Sequence, residues 1–186
     1  MAPELKAAGF NSAVNALRVL STPADFDKMV DALPAGTAEL VRHPPLPVAW
    51  LPNEHFSALI ETAGRIVFGG DEQRIEEVAR RAISVDLKTI YKIFIRLASP
   101  QYVVERATKL WQTYTRNNGF ATAVPTSGAA CEVSYEDIDR PSPVLWAYQR
   151  GAIRGIIEAT GVKTVRVQTL RGGHTQPHCR FSVSWE

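Results

Sequence analysis

Apolar residues recur every three or four positions through the first part of the chain, then switch to every second position after Gly119. Residues 4 to 20 and 24 to 33 carry the helical period. The second of these segments has Thr22 as its cap and Pro23 at its first position, and stops at Leu33-Pro34. Pro44, Pro45, Pro47 and Pro52 preclude a regular helix in between, so His43 to Pro52 reads as an extended surface segment with Trp50 anchored in the core. Asn53 is placed to cap the next helix, with Phe56, Leu59, Ile60, Ala63, Ile66 and Val67 on one face and Gly69-Gly70 at its end. Asp71 caps a helix to about Ala82. From Asp86 to Leu97, Ile90, Tyr91, Ile93, Phe94 and Leu97 leave little polar surface, the pattern of a buried central helix. Ser99 to Gly119 reads as a single helix: Ser99 caps it, Val103, Ala107, Leu110, Trp111 and Tyr114 form its apolar face, and Asn117-Asn118-Gly119 stops it.

Beyond Gly119 the period is two. Phe120, Thr122 and Val124 share one face of a strand, with Ala121 and Ala123 on the other. After the turn Pro125 to Gly128, apolar Ala129, Cys131, Val133 and Tyr135 alternate with Glu132 and Ser134. Ser142 and Pro143 open a helix to about Thr160 with Leu145, Trp146, Ala152, Ile153, Ile156 and Ile157 on its apolar face. Two further strands follow, around Val165 to Gln168 and Cys179 to Trp185, joined through Arg171-Gly172-Gly173. The expected class is α+β, with an antiparallel strand-strand-helix-strand-strand sheet. A single domain is expected over 1–186, helical to about 118 and sheet-bearing from about 119.

Composition adds bounds. The 186 residues are 45% apolar and 22% charged, ordinary for one globular domain. Twenty-one basic against 19 acidic residues leave a net charge of +2, too small for a dedicated nucleic-acid binder. No leader-like segment opens the sequence and two cysteines suit a reducing compartment, so a cytoplasmic location is expected.

Candidate chemistry is sparse. Gly151 and Gly155, four apart, suit close packing of their helix on the sheet. His174, His178 and Cys179 lack the paired spacing of a zinc site, and strand alternation sends His178 and Cys179 to opposite faces. No nucleophile elbow is present, and Glu132, Glu136, Asp137 and Asp139 read as solvated. The aromatics Phe56, Tyr91, Phe94, Trp111, Tyr114 and Trp146 all fall on apolar helix faces, as core residues or as the lining of a pocket for an apolar ligand. The outer face of the sheet offers Arg166, Gln168, His178 and Arg180 to a partner protein or a second copy. The turn Arg171 to His174 is an alternative, anion-binding site of an enzyme. Arg80, Arg81, Arg106, Lys109 and Arg116 are the third alternative, a weak nucleic-acid surface.

Taken in order, Pro45 to Leu51, Asp86 to Leu97, Ser99 to Gly119, Gly151 to Gly161 and Phe181 to Trp185 resemble segments of a paralogous family of uncharacterised proteins of similar length, expanded in myxobacteria. That family is in turn similar to the wider group of heme-nitric-oxide-binding-like and four-vinyl-reductase-type domains. The resemblance implies a helical first half, a terminal sheet, and a non-catalytic sensor or adaptor that binds an apolar small molecule or a partner protein. The gas-sensing members of the group carry a proximal histidine and a Tyr-x-Ser-x-Arg string. The nearest string here, Tyr114-Thr115-Arg116-Asn117, departs from it, so the expectation is that no cofactor, heme included, is held.

Overall fold

The computed structural model describes residues 1–90 and 99–186, with side chains undescribed from 85 to 90. The expected helix Asp86–Leu97, beyond its first residues, and the candidates Tyr91 and Phe94 lie outside the described residues.

Strand β1 (Glu4–Lys6) leads into helices α1 (Ala7–Leu20), α2 (Pro23–Asp31) and α3 (Ala35–Arg42). Strand β2 (Trp50–Pro52), α4 (Asn53–Ile66) and α5 (Glu72–Ile90) follow. Then come α6 (Pro100–Val104), α7 (Ala107–Tyr114) and the two-residue strand β3 (Thr115–Arg116). Strands β4 (Phe120–Ser127) and β5 (Ala130–Glu136), helix α8 (Pro143–Glu158), and strands β6 (Val165–Gly172) and β7 (Cys179–Trp185) complete the chain. The α+β class and the strand-strand-helix-strand-strand order stand as read from the sequence. The terminal sheet runs β4-β5-β7-β6, antiparallel throughout. Its register sets Cys131 opposite Val183, Val133 opposite Phe181 and Tyr135 opposite Cys179, all buried on the face that α8 covers.

The caps act as their chemistry dictates. The hydroxyls of Thr22, Ser99 and Ser142 accept backbone N–H groups of Asp25, Tyr102 and Leu145 at 3.1, 3.2 and 3.2 Å, each followed by proline at the first helical position. Asn53 does not cap α4. It lies inside the helix and its amide donates to the Asp139 carboxylate at 3.1 Å, tying α4 to the loop before α8.

Three local expectations are corrected and one unassigned stretch proves helical. Residues 4–6 form a strand, not a helix start: β1 sits between β2 and β3 in a second, three-stranded sheet, where Leu5 pairs with both Leu51 and Thr115. Three residues are too few for alternation to register. Helix α3 occupies a stretch without a sequence assignment, burying Thr37, Ala38 and Val41 on one face. Helix α5 continues past Ala82, because Ile83-Ser84-Val85 contains no glycine or proline to break it. The stretch Ser99–Gly119 is two short helices and a strand. At Arg106 the backbone turns to φ −110°, ψ 8°, and its N–H bonds the Val103 carbonyl at 3.1 Å in a tighter turn.

Trp50 is only half-buried. Its ring carries the Arg116 guanidinium 3.8 Å from its centroid and the Lys6 ammonium at 5.8 Å, so cations rather than core side chains hold it. Gly151 and Gly155 pack closely, but against α5 and not the sheet. A Cβ at Gly151 would collide with the Glu76 carbonyl, and one at Gly155 would lie 3.0 Å from the Arg80 carbonyl oxygen. Arg150 reaches across this seam to Glu72 at 2.6 Å and Glu76 at 2.7 Å, and Arg80 reaches Glu158.

Candidate functional site: an apolar cavity between helices and sheet

Opposite the glycine seam, α8 faces a cavity of about 530 Å³. Leu145, Ala152, Ile153, Ile156 and Ile157 line it from α8, α6 and α7 close another side, and β4 and β5 form its floor. The hollow has a cause in the sequence. The inward face of β4 is the small pair Ala121 and Ala123, while its larger residues Phe120 and Val124 point out, 44% and 60% exposed. Gly9, Ala107 and Ala152 are equally small where they border the space. Helix α7 contributes no fully buried residue; Leu110 and Trp111 stay half-buried against the cavity. A wall built of small residues on one side and half-buried aromatics on the other leaves a void where a core would otherwise interdigitate.

Polar atoms are few there. Asn118 accepts the Asp139 N–H at 2.9 Å through its side chain and the Trp111 indole N–H at 3.2 Å through its backbone carbonyl. Thr115 donates to the Trp111 carbonyl at 2.9 Å. Burial pushes the Cys131 thiol up to about 11, so it stays protonated at neutral pH. Burial, with the nearby Cys179, also raises the Tyr135 hydroxyl well above its usual range. Tyr135 is the hub of an edge-on aromatic group, with ring centroids 5.3 Å from Trp111, 6.0 Å from Trp146 and 6.0 Å from Phe181. Arg106 and Lys109 are exposed at the rim, the Arg106 guanidinium lying 3.5 Å from the centroid of the Tyr102 ring.

Of the aromatic candidates, Phe56, Trp111 and Tyr114 line this cavity. Trp146 does not: it is 2% exposed and packs on Tyr135 and Phe181. Tyr135, Tyr148, Gln149 and Cys131 border the cavity and were absent from the sequence candidates. Gln149 carried a readable signal, a polar residue midway between Leu145 and Ile153 on an otherwise apolar helix face.

The outer sheet residues Arg166, Gln168 and Arg180 are exposed and His178 half-buried. Arg180 reaches Glu132 at 3.6 Å. The turn 171–174 uses its own donors: the Gly173 N–H bonds the His178 carbonyl at 2.9 Å, which removes it from an anion site. Among the described residues no group of three His, Cys, Asp or Glu side chains is placed to hold a metal ion. No helix among them is long and apolar enough to cross a membrane.

No family model and no curated protein matches the chain. Solved structures do. A Cs H-NOX mutant carrying 4-cyano-L-phenylalanine superposes with a TM-score of 0.72 at 12% identity, over 98% of this chain and 97% of that one. An oxygen-binding H-NOX domain related to soluble guanylate cyclases, in its oxygen complex, gives 0.68 at 13% identity over 98% and 95%. A structure described as probing heme distortion in the H-NOX family gives 0.69 at 14% identity over 98% and 94%.

These neighbours, described by the heme and oxygen they carry, overturn the expectation that a cofactor is out of place on this fold. The cavity suits such a group in its apolar walls and in the cations at its rim. Its donor set differs. All four histidines of the chain are described, His43, His55, His174 and His178, and none lines the cavity. His55 instead pairs with the Thr37 hydroxyl at 2.9 Å. Among the described residues, the groups there able to ligate iron include the Cys131 thiol and the phenols of Tyr102, Tyr114 and Tyr135. At these levels of identity the likeness is one of architecture: the chain has the H-NOX fold, from the helical half to the terminal four-stranded sheet.

Proposed function

We propose that the chain is a non-catalytic sensor domain that reports the occupancy of its cavity by a flat, largely apolar ligand, with heme as the first candidate. The observation that carries the reading is the 530 Å³ apolar cavity between the helices and the sheet. When bound, heme supplies an iron centre that takes up small gases. Cys131 or a lining tyrosine would hold it, and Arg106 and Lys109 would meet its carboxylates at the rim. The response would pass to a partner protein, or to a second copy, through the outer sheet face at Arg166, Gln168, His178 and Arg180. Titration of purified protein with hemin tests the heme reading. A saturable 1:1 Soret band, lost in Cys131→Ala or a lining Tyr→Phe variant and kept in His55→Gln, is expected. A porphyrin that binds equally with and without iron moves the reading to a metal-free planar ligand. Failure of both to bind removes heme and leaves smaller planar ligands as the cavity's occupants.

A further inference from the structure

The two edges of the four-stranded sheet are finished differently. The edge at β4 is covered: α7 lies against it, the Thr108 hydroxyl donates to the Ala121 carbonyl at 2.8 Å, and Pro125 interrupts the strand. Strand β6, at the other edge, pairs with β7 alone among the described residues. At its start Thr164 and Glu186 exchange both backbone bonds, at 3.4 and 3.0 Å. Alternation from that pair turns the N–H and C=O groups of Arg166 and Gln168 toward β7, and those of Val165, Val167 and Thr169 away from it. None of these outward groups takes a bond among the described residues. Gln168, Thr169 and Leu170 are exposed. The same edge is positively charged. Lys163, Arg166 and Arg171 are exposed and none has an ion-pair partner among the described residues, whereas Arg180, opposite Arg171, already has Glu132 at 3.6 Å. Glu186, at the start of the strand, is paired with none of them. We propose that the edge of β6 receives an extended, acidic segment of a partner protein as a fifth strand. The added strand bonds the outward groups of Val165, Val167 and Thr169, covers Leu170, and sets carboxylates beside Lys163, Arg166 and Arg171. A second copy of the chain fits less well, because pairing β6 with itself would gather the unpaired cations of both copies on one seam. This sharpens the partner clause of the reading above and rests on it, while the identity of the cavity's ligand does not enter.

Fluorescence anisotropy with three labelled decapeptides tests it on the purified protein at pH 7 and low salt. One peptide alternates Glu with Val and one Lys with Val. The third alternates Glu with Pro, which keeps the acidic charge but lacks the N–H groups of a strand. The Glu-Val peptide is expected to bind about ten-fold tighter than either of the others. Thr169→Pro removes an N–H that faces solvent and spares the ladder to β7, so it should weaken the Glu-Val peptide about ten-fold. Arg166→Glu combined with Arg171→Glu should reverse the preference in favour of the Lys-Val peptide, and decides the matter if Thr169→Pro does not fold. Gln168→Ala alters the outer face, leaves the edge backbone intact and should leave all three affinities unchanged. Equal binding of the Glu-Val and Glu-Pro peptides overturns the inference and leaves the charge of the outer face as the partner contact. A dimer on size exclusion that Thr169→Pro turns into a monomer gives the edge to a second copy and also overturns it. Binding of none of the three overturns the inference, and the hemin titration judges the cavity reading separately.

Discussion

Helix α8 has two flanks that follow opposite packing rules. Toward α5 it presents Gly151 and Gly155, so that backbone meets backbone, and Arg150 latches the seam to Glu72 and Glu76. Toward the sheet and α7 it presents Leu145, Ile153 and Ile156 to empty space. The first flank has no room for one methyl group; the second has room for a ligand. The contrast shows how one helix can be fixed in place and still form the wall of a hollow. The close contact on the α5 side sets its position, so the cavity side need not be filled to keep it there.

The sharpest way to break the contrast is Gly151→Ala. The new Cβ meets the backbone of Glu76, which cannot step aside, so urea denaturation should show a loss of about 3 kcal/mol. Gly155→Ala, where the nearest atom is 3.0 Å away, should cost clearly less. Arg150→Met leaves the Glu72 and Glu76 carboxylates, neighbours on one face of α5, without their counter-charge across the seam and should cost about 2 kcal/mol by the same measurement, with little change in ligand affinity.

The two thiols offer a pH-dependent comparison. Burial raises both Cys131 and Cys179 from 9.0 to about 11, with the charge of Arg150 opposing the rise at Cys179. A raised folded-state value means that the stabilisation is complete below pH 9 and is lost as pH climbs through 11. The stability measured by urea denaturation should therefore fall over that window. Cys131→Ala should remove only the cavity-side share of the slope. The smallest effect is expected on the hollow side. Leu110→Ala trims a half-buried residue beside existing space and should cost about 1 kcal/mol in the ligand-free protein, yet weaken ligand binding more than either glycine change.

Long-period features were legible in the sequence because their signals are redundant. Thr22-Pro23, Ser99-Pro100 and Ser142-Pro143 each state a helix start twice, once by cap and once by fixed φ. The alternation from Cys131 to Tyr135 and from Cys179 to Trp185 fixes the inner sheet face. What escaped depends on contacts distant in sequence. Glu4–Lys6 is a strand only because residues 50–52 and 115–116 flank it. The break at Arg106 has no proline or glycine to mark it. The aromatic faces suggested a pocket, but emptiness is a property of small residues, and Ala121, Ala123 and Ala152 are as common in solid cores as beside cavities. The cofactor expectation failed for a related reason. It was judged by a motif, whereas the fold that can enclose a heme is shared by chains only 12 to 14% identical to this one.

The placement of β1 has a consequence for how the chain assembles. This strand pairs first with β2, some 46 residues on, and then with β3, about 110 residues on, as Leu5 meets Leu51 and Thr115. During synthesis one of its edges can be covered early, but the other stays open until Thr115 has left the ribosome. Pairings this distant in sequence close late and slowly, and an uncovered edge is where chains associate wrongly in the meantime. The yield of correctly folded protein should therefore depend on the speed of translation through the α6–α7 region and on chaperone supply, more than on the stability of the finished fold.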